Sequence, residues 1–174
     1  MQGEPARAIG PLVAGIEADC LGEGGCGLRI SPSHIQRFAE AIRLNPGYKG
    51  AYGQRGLAFH GLGDLTSARA SCETKQDYWV SQQCLALVYH KLGRHADAEV
   101  ELAKIKATLA QAGAYQYATI YAQWGSHPKA LEWLDTAMRL RDPGLELLKT
   151  DPLFDPLRDE PRFQAIERAL KFPD

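Results

Sequence analysis

One glycine register constrains this chain more than any other feature. Gly63, Gly93 and Gly125 each stand four residues after an aromatic (Phe59, Tyr89, Tyr121) and seven after a small residue (Gly56, Ala86, Ala118). Each is followed, five residues on, by an alanine (Ala68, Ala98, Ala130), and the intervals between the glycines are 30 and 32 residues. A self-similar period of that size marks stacked supersecondary units, each burying its apolar face on its neighbours. It argues against a single closed core around a catalytic cleft.

The periodicity within a unit is helical. Leu85, Tyr89 and Leu92 recur at three- and four-residue steps, and Ala98, Leu102, Ile105 and Leu109 continue the stripe after Gly93. A glycine in the left-handed region ends a helix at little cost. The small pairs Gly56 with Ala68, Ala86 with Ala98, and Ala118 with Ala130 predict closely crossing helices. Asp64 is placed to cap a helix starting near Leu65, and Pro128 to open one after Gly125. Lys75, Gln76 and Asp77 interrupt the stripe of the first full unit, so its second helix should be short.

The remaining bounds exclude more than they identify. The 174 residues carry 45% hydrophobic and 24% charged side chains and a net charge of -1, with no long run of either sign. That composition suits a globular chain and recommends neither nucleic acid nor an anionic membrane as partner. Apolar runs are too short for a membrane-spanning helix, and the first residues lack the pattern of a secretory signal. The four cysteines read as free thiols, two of them small core residues. The other reading is a Cys20–Cys26 loop clip, a Cys72–Cys84 bridge between neighbouring helices, or both, in an oxidising compartment.

Candidate chemistry is sparse. Gly22 to Gly27 lacks the lysine and hydroxyl residue that close a phosphate loop, and reads as a linker. His60 and His90 occupy equivalent positions three before a glycine, a weak metal or proton-sensing pair with no acidic or cysteine residue to complete it. They read better as polar groove residues of the array, and His34, His95 and His127 as exposed residues at helix starts or turns. Cys84 precedes His90 by six residues, too far along a helix for a nucleophile and its base. Tyr115, Tyr117, Tyr121 and Trp124 follow helical spacing and read as core plus groove, ahead of a base-stacking stripe. No catalytic residue, metal or cofactor is expected.

Three segments carry a resemblance. Tyr52-x-x-Arg55-Gly56-x-x-Phe59-x-x-x-Gly63-x-x-x-x-Ala68, then Leu85-Ala86 through Tyr89 and Gly93 to Ala98, then Tyr117-Ala118 through Tyr121 and Gly125 to Ala130 resemble the tetratricopeptide repeat family. Arg55 stands where the family has a leucine, and both pitches fall below the family's period of about 34 residues. The resemblance implies an all-α fold, a right-handed superhelical array of antiparallel helix hairpins with a C-terminal capping helix. It divides the chain into an incomplete repeat at 1–48 with a glycine-rich loop at 21–28, units at 49–78, 79–110 and 111–141, and a proline-interrupted cap at 142–174. It also implies a concave groove lined by Gly53, Leu57 and His60, by Gln83, Leu87 and His90, and by Tyr115, Thr119 and Ala122. The lysine and asparagines of the family's carboxylate-binding groove are missing from these positions. An extended or helical peptide with an aliphatic anchor suits them better.

The two ends add expectations. Residues 3–8 match residues 125–130, as if the chain began halfway through a unit, with a helix over about 5–19 and another over 32–44. A start of that kind suggests a fragment of a longer protein or a misassigned start. Ile9, Leu12 and Ile16 would then offer a surface for self-association. Prolines 143, 152, 156 and 161 predict two short helices, near 145–150 and 159–170, joined by an extended crossing. Leu153, Phe154, Leu157 and Phe163 should seal the end of the array. The last thirty residues resemble the terminus of bacterial signalling proteins that carry such repeats after a cyclase, kinase or winged-helix domain. The expected function is therefore a non-enzymatic scaffold binding a peptide or partner protein, with a sensory or regulatory module as the alternative. The expected compartment is the cytoplasm, or the periplasm for a membrane-anchored regulator.

Overall fold

The computed structural model describes residues 31–172, and among these the regular structure is entirely helical. Helices run α1 (Pro32–Leu44), α2 (Lys49–Gly61), α3 (Leu65–Glu73), α4 (Trp79–Lys91), α5 (His95–Leu109), α6 (Ala114–Gln123), α7 (His127–Leu140) and α8 (Pro161–Leu170). The expectations that fall on residues 1–30, including the 5–19 helix, the glycine-rich loop and the Cys20–Cys26 clip, lie outside the described residues.

Each expected unit is a pair of packed helices. α2 lies on α3, α4 on α5 and α6 on α7, while α2 also packs on α4 and α4 on α6. The turn between partners is the same three times. Gly63, Gly93 and Gly125 have φ of +82°, +74° and +72°, with open space where a Cβ would stand, so the requirement for glycine is conformational. The alanines following them, Ala68, Ala98 and Ala130, are fully buried, as are Ala86 and Ala118 opposite, which lets paired helices approach closely. Asp64 caps α3, its Oδ1 accepting the Ser67 amide at 3.0 Å.

Some local expectations are corrected. Leu92 is 44% exposed, because it forms the C-cap of α4 at the outer turn and not the last step of the buried stripe. As expected, α3 is short, nine residues ending at Glu73. Arg55, the residue out of place in the repeat pattern, sends its Nε to Ser71 Oγ at 2.9 Å, and Ser71 Oγ donates to the Tyr52 carbonyl at 2.8 Å. A polar relay thus seats α3 on α2 where a leucine would have packed.

The C-terminal segment is tighter than an extended crossing. It forms two 3-10 turns, Pro143–Leu147 and Pro152–Leu157, before α8. Asp142 and Asp151 each accept a backbone N–H two residues on, from Gly144 and Leu153, and so start the turns that the prolines then continue. Phe154, Leu157 and Phe163 are fully buried and join the core formed by α4, α5, α6 and α7, with Leu153 packed against it. His127 and Glu160, 3.1 Å apart, and the pair Arg162–Asp135 tie α8 to α7.

Candidate interaction face

The groove positions transferred from the repeat pattern lie on α2, α4 and α6, and the structure buries most of them. Gly53, His60, Gln83, Leu87, Tyr115, Thr119 and Ala122 are buried; Leu57 and His90 are half-buried. At Gly53 the absence of a side chain lets the first turn of α4 approach. A Cβ there would stand 2.7 Å from Val80 Cγ1 and 2.8 Å from the Ser81 amide nitrogen.

Between α4 and α6 the positions bond to each other. Gln83 Nε2 donates to Thr119 Oγ1 at 2.8 Å, and Thr119 Oγ1 donates to the Gln116 carbonyl at 2.7 Å. Such a bond in a dry site fixes one helix against the next. His90 stacks on Trp124, with centroids 5.0 Å apart and planes at 10°, and meets His95 edge-on at 4.6 Å. Trp124 Nε1 in turn donates to the Ala86 carbonyl at 3.3 Å. Burial, then the neighbouring His95, holds the His90 imidazole below its usual range, with Glu99 opposing.

His60 behaves differently from His90. Its ring is 4% exposed and neither nitrogen has a hydrogen-bond partner. Burial, helped by the Lys91 charge, lowers its pKa to about 4. The two histidines share a repeat position without sharing a site, and no group of three metal-ligating side chains occurs among the described residues.

In the third unit Tyr115 faces the chain's own tail. Tyr115 OH donates to Asp151 Oδ2 at 2.9 Å, and the Tyr115 amide donates to Asp142 Oδ2 at 3.2 Å. Gln123 Nε2 donates to the Leu153 carbonyl at 2.8 Å. The Tyr115 ring meets Phe154 edge-on at 5.3 Å and lies so close to Gly144 that a Cβ there would stand 2.5 Å from it. Burial pushes the Asp151 carboxyl up, against the bonds from the Leu153 amide and Tyr115; burial and the Asp151 charge push the Tyr115 hydroxyl up.

The sequence reading missed Gln123, Asp142 and Asp151, and placed Trp124 in an aromatic stripe without its partner His90. A further signal for Trp124 is its place immediately before the repeated glycine, where Leu62 and Leu92 stand in the other units. For Cys72 and Cys84 the sequence leaves two readings, free thiols or a bridge between neighbouring helices, and the structure has the bridge, with both residues fully buried and Cα atoms 6.3 Å apart. The face as a whole offers an imidazole and indole cluster, an aliphatic shoulder at Leu57 and little charge. It can make apolar, stacking and hydrogen-bonding contacts, and presents no nucleophile with an oriented base. No family model, curated protein or solved structure matches the chain.

Proposed function

We propose that this chain is a non-enzymatic interaction module, a tetratricopeptide-like array whose partner is a peptide or protein segment. The observation that carries the reading is the threefold recurrence of one turn, a positive-φ glycine between packed helices, with α2, α4 and α6 in contact in series. Repeats of this kind build extended faces that recognise other chains. Leu57 and His90, the half-buried groove positions, and the Trp124 indole behind His90 are the contact points of this reading. Leu87 and Tyr115 serve the internal packing.

The test compares the native chain with a Leu57→Glu, His90→Glu variant as baits in a lysate of the source cell. Circular dichroism first establishes that the variant keeps its helicity and its cooperative melt. A protein retained by the native chain and lost by the variant supports a face on α2 and α4. Retention by both moves the binding elsewhere, and retention by neither refutes an intermolecular role.

A specific observation favours the second reading, a regulatory module acting within a larger regulator. The segment 151–154 is hydrogen-bonded onto Tyr115 and Gln123, two side chains of α6, so part of this face is already occupied by the chain itself. The buried Cys72–Cys84 bond supports a periplasmic placement over a cytoplasmic one, since such bonds persist in oxidising compartments. No helix among the described residues is long and apolar enough to cross a membrane.

A further inference from the structure

Among the second helices of the three pairs, α3 buries only small residues. They are Ala68, Ser71 and Cys72, whereas its counterpart α5 buries Ala98, Glu101, Leu102 and Ile105. The repeat register explains the difference. Cys72 stands where Leu102 and Leu134 stand in the next two units, so a large apolar anchor is missing. What replaces it is covalent: Cys72 Sγ is bonded to Cys84 Sγ of α4. The bond occupies the space a side chain at position 56 would need. A Cβ on Gly56 would stand 2.0 Å from Cys72 Sγ, 2.7 Å from Cys84 Sγ and 3.1 Å from the Ala68 carbonyl oxygen.

The bond is the covalent tie between α3 and α4, set in a cluster with the fully buried Ala68, Leu85 and Val88. We infer that the Cys72–Cys84 bond is a redox-dependent latch on α3, and that its reduction frees α3 from α2 and α4 while leaving α6 and α7 in place. In the reductive step a dithiol donates two electrons to the S–S bond and becomes a disulfide. The two sulfurs take up two protons and become thiols. With α3 released, the apolar side of α4 around Leu85 and Val88 is uncovered. The remaining hold on α3 is the packing of Ala68 and Leu65, the buried Ser71 relay to Tyr52 and Arg55, and the exposed Tyr89–Glu73 contact at 3.3 Å.

The experiment is amide hydrogen exchange with mass spectrometry on the full chain, oxidised and after refolding from urea in dithiothreitol. Peptide mapping of the oxidised chain identifies the 72–84 link apart from Cys20 and Cys26, and alkylation of the refolded chain identifies the thiols. Exchange over 65–73 should quicken by about tenfold or more on reduction, with 114–140 unchanged, the mark of a local opening. A Cys72→Ala, Cys84→Ala variant should exchange over 65–73 about as fast as the reduced native chain, because it lacks the tie. Equal exchange in both redox states, a missing 72–84 link, or quickening along the whole chain would each overturn the latch. So would a double-alanine variant as protected over 65–73 as the oxidised chain, since the bond would then not be what holds α3.

Discussion

Replacing Gly56 by alanine tests the account of the α2–α3–α4 junction most directly. In an ordinary mid-helix position the change would favour folding by about 1 kcal/mol, the difference in helix propensity between the two residues. Here the new methyl would lie 2.0 Å from Cys72 Sγ and 2.7 Å from Cys84 Sγ, far inside contact distance, so the bond and the methyl compete for one space. A disulfide closing a loop with a sequence separation of 12 contributes about 3 kcal/mol by restricting the unfolded chain. If the methyl prevents the bond, the net loss is about 2 kcal/mol, the larger effect less the propensity gain. Urea unfolding at neutral pH without reductant, followed by far-ultraviolet circular dichroism, measures it, and peptide mapping reports whether residues 72 and 84 are linked. In the Cys72→Ala, Cys84→Ala background the same substitution loses both sulfur clashes and keeps the Ala68 carbonyl oxygen at 3.1 Å. Its effect there should shrink to near zero or turn stabilising by up to about 1 kcal/mol. A Gly56→Ala chain that keeps the 72–84 link and is as stable as the native chain would refute the steric reasoning.

His60 gives a pH dependence with a defined direction. Its folded pKa of about 4 lies below the ordinary value of 6.5, so the unfolded chain binds more protons in between, and stability falls as pH drops from 6.5 towards 4. The loss attributable to this ring is about 3 kcal/mol at pH 4, and a His60→Leu chain should lack it when the two are unfolded in urea across that window; parallel pH profiles would exclude the assignment. Gln83→Leu leaves the Thr119 hydroxyl without its donor, and Thr119→Val leaves the Gln83 amide buried and unpaired. Each single change should cost about 1–3 kcal/mol, and the double change less than their sum, in a mutant cycle read by urea unfolding. Gly93→Ala meets no neighbour but must hold φ near +74°, so it should lose about 1–2 kcal/mol by backbone strain alone. An unchanged melting midpoint would mean that the turn has relaxed. Tyr115→Phe removes the bond to Asp151 and should lower stability by about 1 kcal/mol, with faster amide exchange over 143–157 as its local signature.

How much of this could be read from residues alone varies along the chain. The boundaries of α1, and the three glycine turns with their buried alanines, follow from short-range signals: proline at a first turn, apolar steps of three and four, and a residue type able to adopt positive φ. These depend on neighbours within one or two turns, which a sequence displays. The C-terminal turns were only half legible. Prolines 143, 152 and 156 announced a break, but the choice of 3-10 turns over an extended crossing rests on the Asp142 and Asp151 side chains finding nearby amides.

The sequence by itself determined an all-helical chain with a repeated pair of helices, because helix periodicity and turn chemistry are local. Tertiary structure decided whether Cys72 and Cys84 are thiols or a bond, since that turns on the space beside Gly56. It also decided which equivalent positions face solvent. His60 and His90 are interchangeable by register, yet one is sealed with no partner and the other stacks on Trp124, a side chain of the following unit. A repeat pattern assigns each residue a side of its helix; how deeply that side is covered depends on what the neighbouring unit places over it.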